Sequence, residues 1–227
     1  MERDMKKLLL LLVLAMAGTS FAQIGVTAGG SMLKGFGQPR PWGGIHFGIE
    51  IPRDDAISIY GRVTHHFRQQ NQDSIYTTAI ARDFNTSPYT IPVSGVSSMN
   101  YTVIEGGTRY YLGDGYDFGW AAYGGSNFSM IFNGVRTVYQ GYDETLYELQ
   151  DGSARKGSIF SLAFGLGGGA KYSMEGVGTI YFDLGLSYVL LYQASNSMAA
   201  AQFSSAGGLY SPLMFNFNLG FRRDLNF

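Results

Sequence analysis

Apolar and polar residues alternate in steps of two near the C-terminal end of the chain. Apolar side chains occupy the even positions from Ile180 to Tyr192, and they occupy the odd positions from Leu213 to Phe221. Such alternation puts one set of side chains on each face of a β-strand. Each run is long enough for a tilted strand to cross a bilayer, which takes roughly 9 to 11 residues. The pattern predicts strands with lipid against one face.

Eight segments of the chain carry this alternation. They lie at 24–34, 42–51, 56–67, 98–111, 118–132, 158–172, 178–192 and 213–223. No segment shows the apolar period of a helix, and no composition shift marks a second domain. We therefore predict an all-β fold, an eight-stranded antiparallel transmembrane up-and-down β-barrel.

The connections between these segments alternate in length. Short connections at 52–55, 112–115 and 173–176 alternate with longer ones at 35–41, 68–97, 133–157 and 193–212. Outer-membrane barrels combine short periplasmic turns with longer extracellular loops. This asymmetry predicts that both termini lie in the periplasm and that the long connections face the exterior.

The N-terminal segment has the pattern of a secretory signal peptide. Lys6 and Lys7 precede an apolar run at 8–17, and Ser20-Phe21-Ala22 places small residues where a signal peptidase acts. The apolar run is too short for a transmembrane helix, which needs about 20 residues. We predict a cleaved signal peptide at 1–22, an outer-membrane β-barrel domain at 23–227, and a location in the cell outer membrane.

Composition agrees with a barrel and excludes several functions. The chain has 32 glycines, 16 phenylalanines and 16 tyrosines, and only 15% of its residues are charged. Its net charge of −1 is too close to neutral to indicate a nucleic-acid partner. The absence of cysteine excludes disulfides, thiol catalysis and cysteine-based metal sites.

Several features together resemble a known family. They are the signal peptide, the eight alternating strands, the segment from Glu105 to Tyr111, and a last strand that closes on Phe227. The chain resembles the small outer-membrane barrels of the OmpA/OmpX size class, and within it the PorT-like barrels of Bacteroidetes. The resemblance implies that the barrel-assembly machinery recognises a C-terminal aromatic signal. In this chain Phe221, Leu225 and Phe227 all occupy odd positions, so they lie on the same face of the last strand, as such a signal requires.

Charged residues fall on the predicted inner face of the barrel. Following the parity of each strand, we predict a lumen charge network of Glu50, Arg62, Glu105, Arg109, Lys171, Asp183 and Arg222. An eight-stranded barrel is only wide enough for side chains to fill it. Because unpaired buried charges cost several kcal/mol each, these groups should pair and close the lumen. A gated conduction path or a proton-linked site is the alternative.

Motifs that suggest chemistry lack the context they need. The glycines between Gly165 and Ala170 match a dinucleotide fingerprint in form, but a turn and a strand follow them instead of a helix. His65 and His66 are adjacent on a strand, so they point to opposite faces and cannot chelate one ion. His46 is predicted to join the charged lumen beside Glu50. We predict no catalytic residue, no cofactor-binding site, no metal site and no enzymatic activity.

The predicted loops are rich in aromatic residues, which either form a binding surface or fold over the barrel mouth. They are Tyr76, Phe84, Tyr89, Tyr139, Tyr142, Tyr147 and Tyr210. The predicted role is a structural protein or an accessory subunit of an outer-membrane secretion or assembly complex, as the PorT-like resemblance implies. Its partners would be outer-membrane lipids, the barrel-assembly machinery and other outer-membrane proteins. The alternative role is a narrow pore or a barrel that transports a small solute or a hydrophobic ligand.

Overall fold

The computed structural model describes residues 23–38, 40–150, 155–197, 199–200 and 209–226. The predicted signal peptide at 1–22 and Phe227 lie outside the described residues. Within them the strands are β1 (Gln23–Gly35), β2 (Trp42–Pro52), β3 (Ile57–Ala81), β4 (Thr90–Gly113), β5 (Gly119–Gln140), β6 (Tyr147–Leu149), β7 (Lys156–Met174), β8 (Gly178–Ala194) and β9 (Leu213–Asn226).

Eight of these strands close into a ring. Each strand pairs antiparallel with its neighbours in the order β1, β2, β3, β4, β5, β7, β8 and β9, and β9 pairs back onto β1 from Gln23–Asn226 to Gly35–Met214. The predicted eight-stranded antiparallel up-and-down barrel is confirmed. Closure matters because every ring strand then has two partners, and no sheet edge is left along the barrel wall.

The barrel has one end with short turns and one end with long projections. The turns after β2, β4 and β7 lie at the same end as Gln23 and Asn226. Gly176 in the last of these turns has φ of +70°, a left-handed conformation that favours glycine. At the opposite end three strands continue well past the ring.

The predicted connections at 68–97 and 133–157 were wrong in much of their extent, because strands continue into both. β3 and β4 stay paired as far as Ile80–Thr90, and β4 and β5 stay paired as far as Ser94–Gln140. The β3–β4 ladder changes register twice on the way, within 66–69 and within 70–74. Most of the two predicted loops is therefore regular sheet.

A short strand completes this projecting sheet. β6 adds to the other side of β3 through Ala79–Leu149 and Ala81–Tyr147. The result is a four-stranded sheet made of β3 after His66, β4 before Tyr101, β5 from Arg136 onward, and β6. We call it the distal sheet.

The two faces of the barrel wall differ sharply in chemistry. Large apolar side chains cover the outer face, for example Phe47, Phe128 and Leu166, which are all exposed. Charged outward residues lie close to strand ends, as Lys34 and Arg223 do. In the part of the chain that the structure describes, no helix is long and apolar enough to cross a membrane. The inner face is polar in one half of the lumen and apolar in the other.

Candidate functional site

Six charged side chains from five strands meet inside the barrel. Glu105 and Arg109 are four residues apart on β4, so they share the inner face of that strand. The other four come from β2, β3, β8 and β9, and all six are buried. We call the six the charge network: Glu50, Arg62, Glu105, Arg109, Asp183 and Arg222.

Asp183 lies at the centre of the charge network. Its Oδ2 atom is 2.6 Å from Arg62 Nη1 and 2.9 Å from Arg109 Nη2. Its Oδ1 atom accepts a hydrogen bond from the Tyr123 hydroxyl. Arg62 also donates from Nε to Glu105 over 2.6 Å. One carboxylate thus bridges two guanidinium groups, and each guanidinium has a second carboxylate partner because Arg109 also reaches Glu50.

Glu50 extends the charge network toward the short-turn end of the barrel. Its Oε2 atom is 2.6 Å from Arg109 Nη1 and 3.6 Å from Arg222 Nη1. The Tyr111 hydroxyl donates to its Oε1 atom. The guanidinium carbon of Arg222 lies 3.6 Å from the centroid of the Tyr116 ring, a cation–π contact. The six members are three arginines and three carboxylates, and at the edge of the network Arg222 Nε also lies 3.0 Å from Oδ1 of the partly exposed Asp224.

Lys171 is buried but does not join this network. Its Nζ atom donates to the Phe118 carbonyl over 2.7 Å and to Ser173 Oγ over 2.8 Å. Among the described residues it forms no ion pair with a carboxylate of the network. The predicted pairing of Lys171 was wrong because its strand position is nearer the short-turn end, beside the connection between β4 and β5.

The three histidines occupy different environments. His46 is buried, with Nε2 2.7 Å from the Tyr181 hydroxyl and Nδ1 2.9 Å from Ser31 Oγ. His65 points outward, with Nδ1 3.0 Å from the Thr102 hydroxyl, and His66 is buried on the inner face. The prediction that His65 and His66 point to opposite faces is confirmed.

Two small cavities lie beside the charge network. One has a volume of about 30 Å³ and the other about 20 Å³, and Arg62 and Asn216 line both of them. The buried ring nitrogens of His66 and the Nδ2 atom of Asn218 face no hydrogen-bond partner among the described residues. Since a water molecule needs at least about 10–15 Å³, each cavity has room for one or two waters. Neither cavity is large enough to carry a solute through the barrel.

Buried aromatic and aliphatic side chains pack together in the other half of the lumen. Trp42 and Tyr101 meet edge to face with ring centroids 5.2 Å apart, and Tyr101 stacks on Tyr210 at 5.9 Å. The Tyr101 hydroxyl donates to the Leu209 carbonyl over 2.7 Å, and the Tyr210 hydroxyl donates to Ser161 Oγ over 2.7 Å. Residues 209 and 210 thus turn inward from the connection before β9. We call Trp42, Tyr101, Leu209 and Tyr210 the aromatic cap.

The remaining aromatic residues of the predicted loops divide between burial and exposure. Tyr210 folds into the barrel mouth and Tyr147 is buried in the distal sheet. Tyr76 and Phe84, in contrast, are 78% and 94% exposed. The Phe84 ring stacks on Tyr89 at a centroid distance of 6.0 Å. Tyr210 therefore agrees with the interpretation that loop aromatics fold over the barrel mouth, while the binding-surface interpretation of the exposed residues stays a prediction.

The structure brings tyrosines to the charge network, and sequence reasoning had not placed Tyr111, Tyr116 and Tyr123 there. Tyr60, Tyr111, Tyr116, Tyr123 and Tyr181 surround the arginines of the charge network or donate to its carboxylates. Their parity was a usable signal, since Tyr111 lies two residues after Arg109 on the same strand face.

The residues of the predicted assembly signal behave differently: Phe221 and Leu225 both point outward.

Comparison with known proteins does not assign a family. No protein-family model matches the chain, and no curated protein matches it. Among solved structures, Neisserial surface protein A is 10% identical with a TM-score of 0.49, covering 90% of this chain and 96% of that one. OprG from Pseudomonas aeruginosa is 12% identical with a TM-score of 0.45, covering 91% and 97%. Ail of Yersinia pestis is 12% identical with a TM-score of 0.43, covering 89% and 99%. The fold assignment rests on the closed ring of paired strands.

Proposed function

We propose that the protein is a non-enzymatic integral β-barrel protein of a bacterial outer membrane. One observation carries the proposal: the wall turns its large apolar side chains outward and its charged side chains inward. A barrel in water would expose the charges and bury the apolar residues. A barrel in lipid needs the opposite arrangement, together with a closed strand ring that leaves no unpaired backbone groups.

The orientation follows from the two unlike ends of the barrel. The end with the short turns and both strand termini faces the periplasm, and the distal sheet projects outside the cell. The predicted signal peptide at 1–22 supports export to this location. Phe221, Leu225 and Phe227 serve as the signal for the barrel-assembly machinery in this proposal.

Because side chains fill the lumen, the proposed role depends on the outer surfaces of the molecule. Ion pairs fill one half of the lumen and the aromatic cap fills the other, so the proposed role does not depend on transport. We assign the protein a structural or accessory role in an outer-membrane secretion or assembly complex. The PorT-like resemblance supports the secretion link, and the exposed Tyr76 and Phe84 offer contact surface outside the membrane.

Extraction of the native outer membrane in mild detergent tests this role. We expect the full chain to migrate as part of a stoichiometric complex on native sizing, and to shift its gel mobility on boiling as a folded barrel does. A lone monomer under the same conditions would contradict the accessory role. Recovery in the soluble periplasmic fraction would contradict the membrane placement itself.

A further inference from the structure

A cavity of about 240 Å³ lies on the distal sheet, far from the charge network. Six side chains provide most of its lining: Arg82, Tyr142, Glu144, Tyr147, Glu148 and Arg155. They come from β6, from the segments on either side of it, and from the residue that follows β3. The cavity is thus formed by the part of the chain that projects furthest from the barrel.

Hydrogen bonds fix the segment that forms one wall of this cavity. The Asp143 carboxylate accepts from the Thr145 hydroxyl over 2.6 Å and from the Thr145 amide over 2.8 Å. These bonds lower the pKa of the exposed Asp143 carboxyl. The buried Tyr147 donates from its hydroxyl to the Pro88 carbonyl over 3.0 Å, and the Arg82 amide donates to the carbonyl of residue 146 over 2.9 Å. The wall is therefore preformed.

The charged side chains that line the cavity form two ion pairs. Arg155 Nη2 lies 2.7 Å from Glu144 Oε1 and 2.9 Å from the Tyr142 hydroxyl. Arg82 Nη1 lies 3.5 Å from Glu148 Oε2. All four charged side chains are more than half exposed, and exposed ion pairs of this kind add little to stability. The four charged groups therefore remain accessible to a ligand from solvent.

The chemistry of the lining selects a class of ligand. Two arginines and two glutamates sum to zero formal charge, which gives no net attraction for an anion or a cation. Four charged groups also make a poor surface for an apolar ligand. A guanidinium has five N–H donors, and the two contacts of Arg155 with described side chains both use Nη2. Donors and acceptors side by side, next to tyrosine rings, match a ligand with neighbouring hydroxyls and an apolar C–H face.

We propose that this cavity binds a neutral hexopyranose unit of an extracellular glycan. Arg155 donates to one sugar hydroxyl, Glu144 accepts from the adjacent one, and Tyr142 packs against the sugar ring. The access of the site to external glycans rests on the proposed outer-membrane placement. The binding chemistry does not depend on that placement, so the glycan-binding proposal and the outer-membrane proposal can fail separately.

Saturation-transfer NMR on the full mature chain in lipid nanodiscs tests the proposal. The probes are the methyl pyranosides of glucose, galactose and mannose, with N-acetylneuraminic acid as an anionic comparator. We expect transfer to the ring protons of at least one neutral glycoside, and about tenfold weaker affinity in Arg155→Ala and in Tyr142→Ala. Arg136→Ala, which removes an exposed arginine of the same sheet outside the cavity, should bind as the unaltered protein does.

Several outcomes would overturn the proposal. They are no transfer to any neutral glycoside, transfer to the anionic sugar alone, and unchanged binding in both cavity variants. Polysaccharide released from the outer membrane of the producing cells then serves as a competitor. Displacement of the bound glycoside identifies a ligand from the cell's own surface, and no displacement identifies a glycan from another source. Either result can be obtained only if a neutral glycoside binds, and that binding supports the proposal.

Discussion

Replacing Asp183 with asparagine is expected to lower the free energy of unfolding by about 3–5 kcal/mol. Asp183 is the carboxylate that Arg62 and Arg109 share, at 2.6 and 2.9 Å. The substitution keeps the shape of the side chain but removes its charge. The six-residue charge network then carries a net charge of +1 inside the barrel, where the two adjacent cavities have room for only one or two waters each.

Equilibrium unfolding by urea in lipid vesicles, followed by gel mobility without boiling, measures this loss. Glu175→Gln, which changes an exposed carboxylate in the turn after β7, is the control and should shift stability by no more than about 0.5 kcal/mol. The double variant Asp183→Leu with Arg109→Met restores neutrality and should recover part of the loss. An Asp183→Asn variant as stable as the Glu175→Gln control would contradict the role given to the charge network.

Replacing Trp42 with alanine is expected to cost about 3–5 kcal/mol, because it opens a cavity in the aromatic cap. Trp42 is only 2% exposed and packs edge to face on Tyr101. Its Nε1 atom donates to the Met99 carbonyl over 3.3 Å, a bond that alanine cannot make. The variant therefore loses both packing and a buried hydrogen bond.

The chain contains one other tryptophan, which gives a matched control. Trp120 is 63% exposed on the outer face of β5, where it contacts Tyr172. Trp120→Ala removes the same side chain without opening an internal cavity, so its unfolding midpoint in urea should move less. Equal shifts in the two variants would contradict the assignment of Trp42 to a packed cap.

The ring of strands and the faces of its residues could be predicted from the sequence. A strand with lipid on one side must alternate apolar and polar side chains, and this requirement fixed the parity of Glu105 and Arg109 on β4. The distal sheet could not be predicted in the same way. Polar residues such as Thr77, Thr78 and Ser94 interrupt the pattern there, so the pairing of β3 and β4 continues without the long alternation that revealed strands elsewhere. The apolar face of the distal sheet is small and centres on Ala79, Val93 and Tyr147.

Parity also has limits inside the lumen. It predicts which face a residue occupies, but not its height in the barrel, which depends on the stagger between strands. Lys171 has the inward parity but donates to the Phe118 carbonyl and forms no ion pair with the carboxylates of the charge network. The aromatic cap could not be predicted from the sequence, because Leu209 and Tyr210 enter the lumen from a connection that has no periodic pattern.

A single reconstitution tests the closed membrane barrel most directly. Bromine quenching is recorded on the Trp42→Phe variant, whose remaining tryptophan is Trp120, in vesicles of phospholipid with brominated acyl chains, and potassium efflux is recorded on the unaltered protein in the same vesicles. We predict that bromine quenches Trp120, because its side chain faces lipid, while potassium efflux stays at the level of protein-free vesicles. A quenched protein with steady efflux would contradict the closed lumen, and an unquenched Trp120 would contradict the lipid-facing wall.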